Sequence, residues 1–237
     1  MVMTDTTELI EVVKNRSTFH RTLSSLYYTT LTQEQIDGLA ESDLAAFGAG
    51  DPLLTEGFDD IRRYLRKRNT GTRQELAIDF TSSFLGTQAY LGRVATPFES
   101  VFRSESGLLM QEPRNEVYRT YKQAAIKLRE GIDLPEDHLS FELEFLAILG
   151  DRIVEALTAD DGERAVTLLE AQRIFMRDHV LSWFDDLADL ANKIIETRFY
   201  RGVLKITKGY LLVDMDAIDD LIAELKGEGP AEKGGVA

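Results

Sequence analysis

Apolar residues recur every three to four positions along almost the whole chain, and only five prolines interrupt 237 residues. That period places apolar side chains on one stripe of an α-helix, and long proline-free stretches let such helices run on. The only period-two stretch, around Gly209 to Val213, sits inside a better helical pattern. The pattern therefore predicts an all-α fold. The length suffices for one large domain or two small ones with a sizeable core.

The helices can be placed by their punctuation. A first helix is expected over about 5–28, with Leu9, Val12, Val13, Phe19, Leu23 and Leu26 inward. Thr32 and Gln35 have capping-box spacing, as do Thr72 and Glu75. Gly48, Gly50 and Pro52 break the chain between those two starts. The basic stretch from Ile61 to Asn69 reads as a solvated helix face with Ile61, Tyr64 and Leu65 buried. Residues 92–113 form the longest stretch without a clear period, and loops of that length are usually functional or mobile. A helix is expected over about 115–129 with Gly131 as its C-terminal cap. Asp137 is the expected N-cap of the next, whose stripe is Leu139, Leu143, Leu146, Leu149 and Ile153. Asp160, Asp161 and Gly162 punctuate a further start, and one helix is expected over about 182–196. Residues 199–214 and 216–226 read as the last two helices, and 227–237 as a disordered tail with no apolar content to pack.

Composition removes several function classes. There is no cysteine, so disulfides, iron–sulfur clusters and cysteine-bound zinc are excluded, and His20, His138 and His179 are the only histidines. The net charge of −14, from 27 basic and 41 acidic residues, repels nucleic acid and anionic membranes and tolerates basic partners. No signal-peptide pattern opens the chain, and no apolar run approaches the ~20 residues of a membrane span. A cytoplasmic location with no stable membrane insertion is expected.

Common catalytic signatures are absent: no phosphate loop, GxGxxG, GxSxG, HExxH or paired Glu-x-x-His motif occurs. Potentially reactive groups concentrate in two places. In one, His138 and Glu142 lie four apart, so Glu142 could orient the imidazole or raise its pKa. The other holds Asp178, His179, Trp183, Asp185 and Asp186. Spacing alone is met by a structural reading, with Asp137 a cap, Glu142 solvent-facing and Trp183 a core anchor. A metal site of His138, Glu142 and His179 is geometrically allowed, which keeps a metal- or nucleotide-dependent helical hydrolase as an alternative.

Four segments, in order, carry a resemblance. They are Thr96-Pro97-Phe98-Glu99-Ser100-Val101-Phe102 with the Glu105–Met110 stretch after it, Leu134-Pro135-Glu136-Asp137-His138-Leu139 with Glu142 to Leu146, Phe175 to Trp183 around His179, and Phe199-Tyr200 through Asp214. Together they resemble the TorD/DmsD/NarJ family of molybdoenzyme maturation chaperones, over roughly Phe19 to Asp214. Phenylalanine stands at 98 and 102 where tyrosine is commoner in that family.

The resemblance implies a single TorD-like helical domain over 1–226, made of an N-terminal portion over residues 1–130, a hinge at about 130–137 and a C-terminal portion over residues 138–226. It implies a non-enzymatic chaperone with no resident cofactor, present as a monomer or a domain-swapped homodimer. Its partners would be the catalytic subunit of a molybdopterin oxidoreductase and that subunit's twin-arginine signal peptide. Some family members are implicated in binding guanine nucleotide or molybdenum cofactor. A NarJ-type chaperone, serving a subunit that is not exported, is the nearer alternative. The implied leader-binding residues are Phe98, Glu99, Phe102, Pro135, Asp137, His138, Leu139, Glu142, Asp178, His179 and Trp183. A leader that is basic and then apolar suits an open apolar trough edged with carboxylates. Exposed ion pairs give only ~0.2–1 kcal/mol each, so apolar burial at ~25 cal/mol per Å² is expected to supply most of the affinity and the carboxylates the register.

Overall fold

A computed structural model describes residues 6–48 and 50–227. The chain runs through α1 (Thr6–Tyr28), α2 (Gln33–Glu41), a 3₁₀ turn (Leu44–Ala46), α3 (Pro52–Leu65), α4 (Thr72–Phe84) and the single-turn α5 (Glu99–Arg103). It continues through α6 (Glu112–Gln123), α7 (Leu139–Thr158), α8 (Gly162–Phe175), a π-helical segment (Met176–Leu181), α9 (Ser182–Ala191) and α10 (Arg198–Lys226). The described residues contain no strand, only two isolated bridges. The expected all-α fold is the fold observed.

Two long antiparallel pairings organise the core: α1 lies along α7, and α3 along α10. The second is unusually close. A Cβ at Gly202 would stand 2.6 Å from the Gly57 carbonyl oxygen, and one at Gly57 2.8 Å from that of Gly202. Only paired glycines let these two backbones meet. Both pairings join the residues before 130 to those after it, and one hydrophobic cluster runs through both. The segment from Ala124 to His138, where a hinge was expected, has no helix and wraps the surface with Arg114 paired to Glu136.

Several boundaries differ from the sequence expectation, each for a local reason. The Thr32–Gln35 capping box forms as expected. Thr72 does not cap Glu75: its hydroxyl accepts from the Asn69 N–H, and Glu75 accepts from the Tyr64 hydroxyl. The helix expected to reach Arg129 stops at Gln123, because Ala125 adopts φ 53° and Ile126 N–H bonds back to the Tyr121 carbonyl. The helix expected to reach Glu196 stops at Ala191, where Asp79 takes the freed Glu196 and Thr197 amides. The last two expected helices are one, α10, since Met215 continues the helix without a break. Val12 is exposed and Tyr27 takes the inward position on α1. The start at Asp5 and the tail beyond Gly227 lie outside the described residues.

Candidate functional site

The irregular stretch before α6 is anchored to the turn before α7. Leu139 N–H donates to the Pro97 carbonyl and Glu99 N–H to the Asp137 carbonyl, both at 2.9 Å. The Asp137 side chain also accepts from Ser100 N–H at 2.8 Å. Asp137 therefore caps α5, not α7 as its position in the sequence suggests. The α7 cap is His138, whose Nδ1 accepts from the Ser140 N–H at 3.2 Å. An accepting Nδ1 is the neutral imidazole, and burial alone lowers the His138 pKa to about 4. Glu142 thus neither orients this ring nor raises its pKa.

α5 carries Glu99 inward. Its fully buried carboxylate accepts from Arg103 and from His179 Nδ1, at 3.1 Å for the latter. His179 reaches it from the π-helical segment, whose wider turn re-aims side chains between α8 and α9. Phe102, half-buried, stacks on Trp183 with centroids 5.5 Å apart and planes 21° apart. Beneath lie Glu142 and Asp137, both fully buried. Burial, together with the charges of Glu99 and Asp137, raises the Glu142 pKa well above the usual carboxylate range. Asp137 is raised too, chiefly by burial and against its bonds to Ser100.

Sequence reasoning expected these carboxylates to edge an open trough. The structure instead closes them in: Glu99, Asp137, Glu142 and Leu139 are inaccessible, and Trp183 and Phe98 are almost so. The cause is α5, which covers them with its own ring and guanidinium. Asp178 does not join the cluster. Its carboxylate pairs with Arg177, which holds its pKa low, and only its backbone carbonyl meets Arg103. His138 packs edge-on against Phe98 and away from His179, so no His138–Glu142–His179 set converges. Pro135 is half-buried at the edge of a cavity of about 480 Å³ that also involves Met110 and Arg114.

Two participants escaped sequence reasoning. Arg103 stands four residues after Glu99, a spacing that signals the pair. Tyr121 is one turn beyond Val117 on the inward stripe of α6, with nothing in the sequence to link it to Glu142. A second cavity, of about 460 Å³, opens between α1, α7 and the loop after α6, with Tyr28, Phe141 and Ile148 among its walls and Arg21, Lys127 and Arg129 beside them.

The sequence model of the nitrate reductase delta subunit family matches residues 50–189, more than half of the chain and all of this site. The chain belongs to that family. It is the NarJ/TorD family of maturation chaperones, which are not enzymes, and this member is a molybdoenzyme maturation chaperone. Among its relatives, the chaperone protein TorD of Vibrio vulnificus strain YJ016 is 26% identical over 86% of this chain and 94% of that protein. TorD of Photobacterium profundum is 27% identical over 87% and 95%, and TorD of Vibrio cholerae strain O395 26% over 92% and 98%. No helix among the described residues is long and apolar enough to cross a membrane.

The chaperone's buried imidazoles give its stability a pH signature. His20 is also fully buried, and burial lowers its pKa to about 4. A group whose pKa is depressed on folding stabilises the fold above its unfolded value, near 6.5, and that contribution is lost as pH falls through the folded value. Roughly 3 kcal/mol per histidine should therefore disappear between pH 6.5 and 4. His138→Asn keeps a capping side chain and removes one titration. Urea unfolding from pH 7 to 4 should show the variant losing markedly less stability than wild type; parallel profiles would count against the neutral, buried His138.

Proposed function

We propose that this chaperone holds the catalytic subunit of a molybdopterin oxidoreductase together with its twin-arginine leader, in the cytoplasm, and delays export until the cofactor is inserted. One observation carries the reading. Three separated segments bring Glu99, Asp137 and Glu142 together against Trp183 and Phe102, and Glu142 meets only other buried groups of this cluster, the Glu99 carboxyl and the Trp183 indole N–H. A guanidinium supplies several N–H donors in a planar fork and suits such a carboxylate set better than an ammonium. The apolar residues of the leader would follow onto the rings of Phe98, Phe102 and Trp183 once α5 moves.

The test uses labelled leader peptides from molybdopterin oxidoreductases of the same genome. A peptide with both arginines should bind at least about tenfold more tightly than its twin-lysine counterpart, because lysine cannot form the bidentate contact. Equal binding would contradict the proposal.

The family description favours a second reading, in which the client is a nitrate reductase subunit without an exported leader. Client with and without its leader separates the two: undiminished binding of leaderless client supports the second.

A further inference from the structure

α5 is attached unequally at its two ends. Its start is tied by three hydrogen bonds, from Leu139, Glu99 and Ser100 amides to Pro97 and Asp137. Its end is held by side chains. Phe102 stacks on Trp183, and Arg103, about one-third exposed, pairs with Glu99 and reaches the Asp178 carbonyl at 3.2 Å and Glu116 at 3.6 Å. This distribution of contacts suits a pivot about its start and release at its end.

What lies beneath is polar and only partly satisfied. Glu142 meets only the Trp183 indole N–H and the Glu99 carboxyl, and among the described residues the Tyr121 hydroxyl and Asp137 Oδ1 have no hydrogen-bond partner. These side chains are at most 2% exposed. Orphaned buried polar atoms are costly and normally meet a partner. The carboxylates and the electron-rich ring faces suit a cation. The nearest guanidinium, Arg103, bonds to Glu99 and stops short of Glu142, so the cradle can take a further one.

We propose that Arg103 is a latch, whose guanidinium holds the end of α5 shut over the Glu99–Asp137–Glu142 cradle until a guanidinium of the client takes its place. This inference rests on the leader-binding reading and adds its regulation. The free chaperone is closed, and only a ligand carrying the same cation can compensate the carboxylates as the clasp lifts. A closed ground state lowers apparent affinity by the fraction of molecules that are open, so weakening the latch strengthens binding.

Trp183 is the only tryptophan in the chain and sits under the clasp, so it reports opening without any ligand. The experiment compares full-length wild type with Arg103→Gln by acrylamide quenching of Trp183, and by anisotropy of a labelled twin-arginine peptide. The latch predicts quenching raised by about twofold and peptide binding about three- to tenfold tighter. Arg103→Lys keeps the charge without the fork and should fall between; it carries the test if Arg103→Gln loses helicity. Unchanged quenching with equal or weaker peptide binding, at wild-type circular dichroism and thermal midpoint, would overturn the latch. Raised quenching with no peptide binding by either chain upholds the latch and overturns the leader reading.

Discussion

Replacing Asp214 by alanine should destabilise the chaperone by about 3–5 kcal/mol, because it strands a buried guanidinium. Arg16 on α1 donates to both Asp214 oxygens on α10, at 2.5 and 3.0 Å, and to Gln172 on α8 at 2.7 Å. Gln172 in turn donates to the Leu146 carbonyl of α7, so one buried network ties four helices. All three side chains are buried. The loss exceeds that expected for a surface pair because water cannot replace the missing carboxylate. Replacing both partners with apolar residues of similar volume should cost far less than Asp214→Ala, since no charge remains to be stranded. Urea unfolding at pH 7 measures both; a single-variant loss below about 1 kcal/mol would show the pair to be hydrated.

Trp183→Ala is the second large effect, also about 3–5 kcal/mol. The indole is 1% exposed and provides the surface on which Phe102 stacks. Its removal leaves a cavity and frees the end of α5, so the 104–111 loop should become more susceptible to limited proteolysis. Glu142→Gln separates packing from charge. Burial and its carboxylate neighbours raise the Glu142 pKa well above the usual carboxylate range, so an amide of the same shape should change stability little while weakening leader binding. If Trp183→Ala left both stability and loop protection unchanged, the clasp would not be resting on that ring. If Glu142→Gln unfolded the chain, the carboxyl would be structural.

Helical identity was legible because it needs only local period and punctuation. The Leu139–Ile153 stripe and the Thr32 capping box could be placed from spacing alone, and both form. What could not be read was anything decided across the chain. Asp137 and His138 are both good caps in isolation; which helix each serves depends on α5 lying alongside, more than thirty residues earlier. Asp79 ends α9 early from a distance of 117 residues in sequence. Arg16 and Asp214, 198 apart, give no local signal at all. The same limit governed the site. The resemblance named three segments that the structure packs against one another, but sequence reasoning treated their carboxylates as exposed because acidic residues usually are. The structure buries them under a five-residue helix that periodicity cannot detect.

The proposed mechanism centres on a buried acidic cradle that receives a client arginine. A double-mutant cycle tests it most directly: wild type and Glu142→Gln, each titrated with a twin-arginine leader and its twin-lysine counterpart. Direct contact predicts a coupling energy of at least about 1.5 kcal/mol between the two changes. Changes that add to within about 0.5 kcal/mol would mean that the arginines bind elsewhere, and would contradict the mechanism.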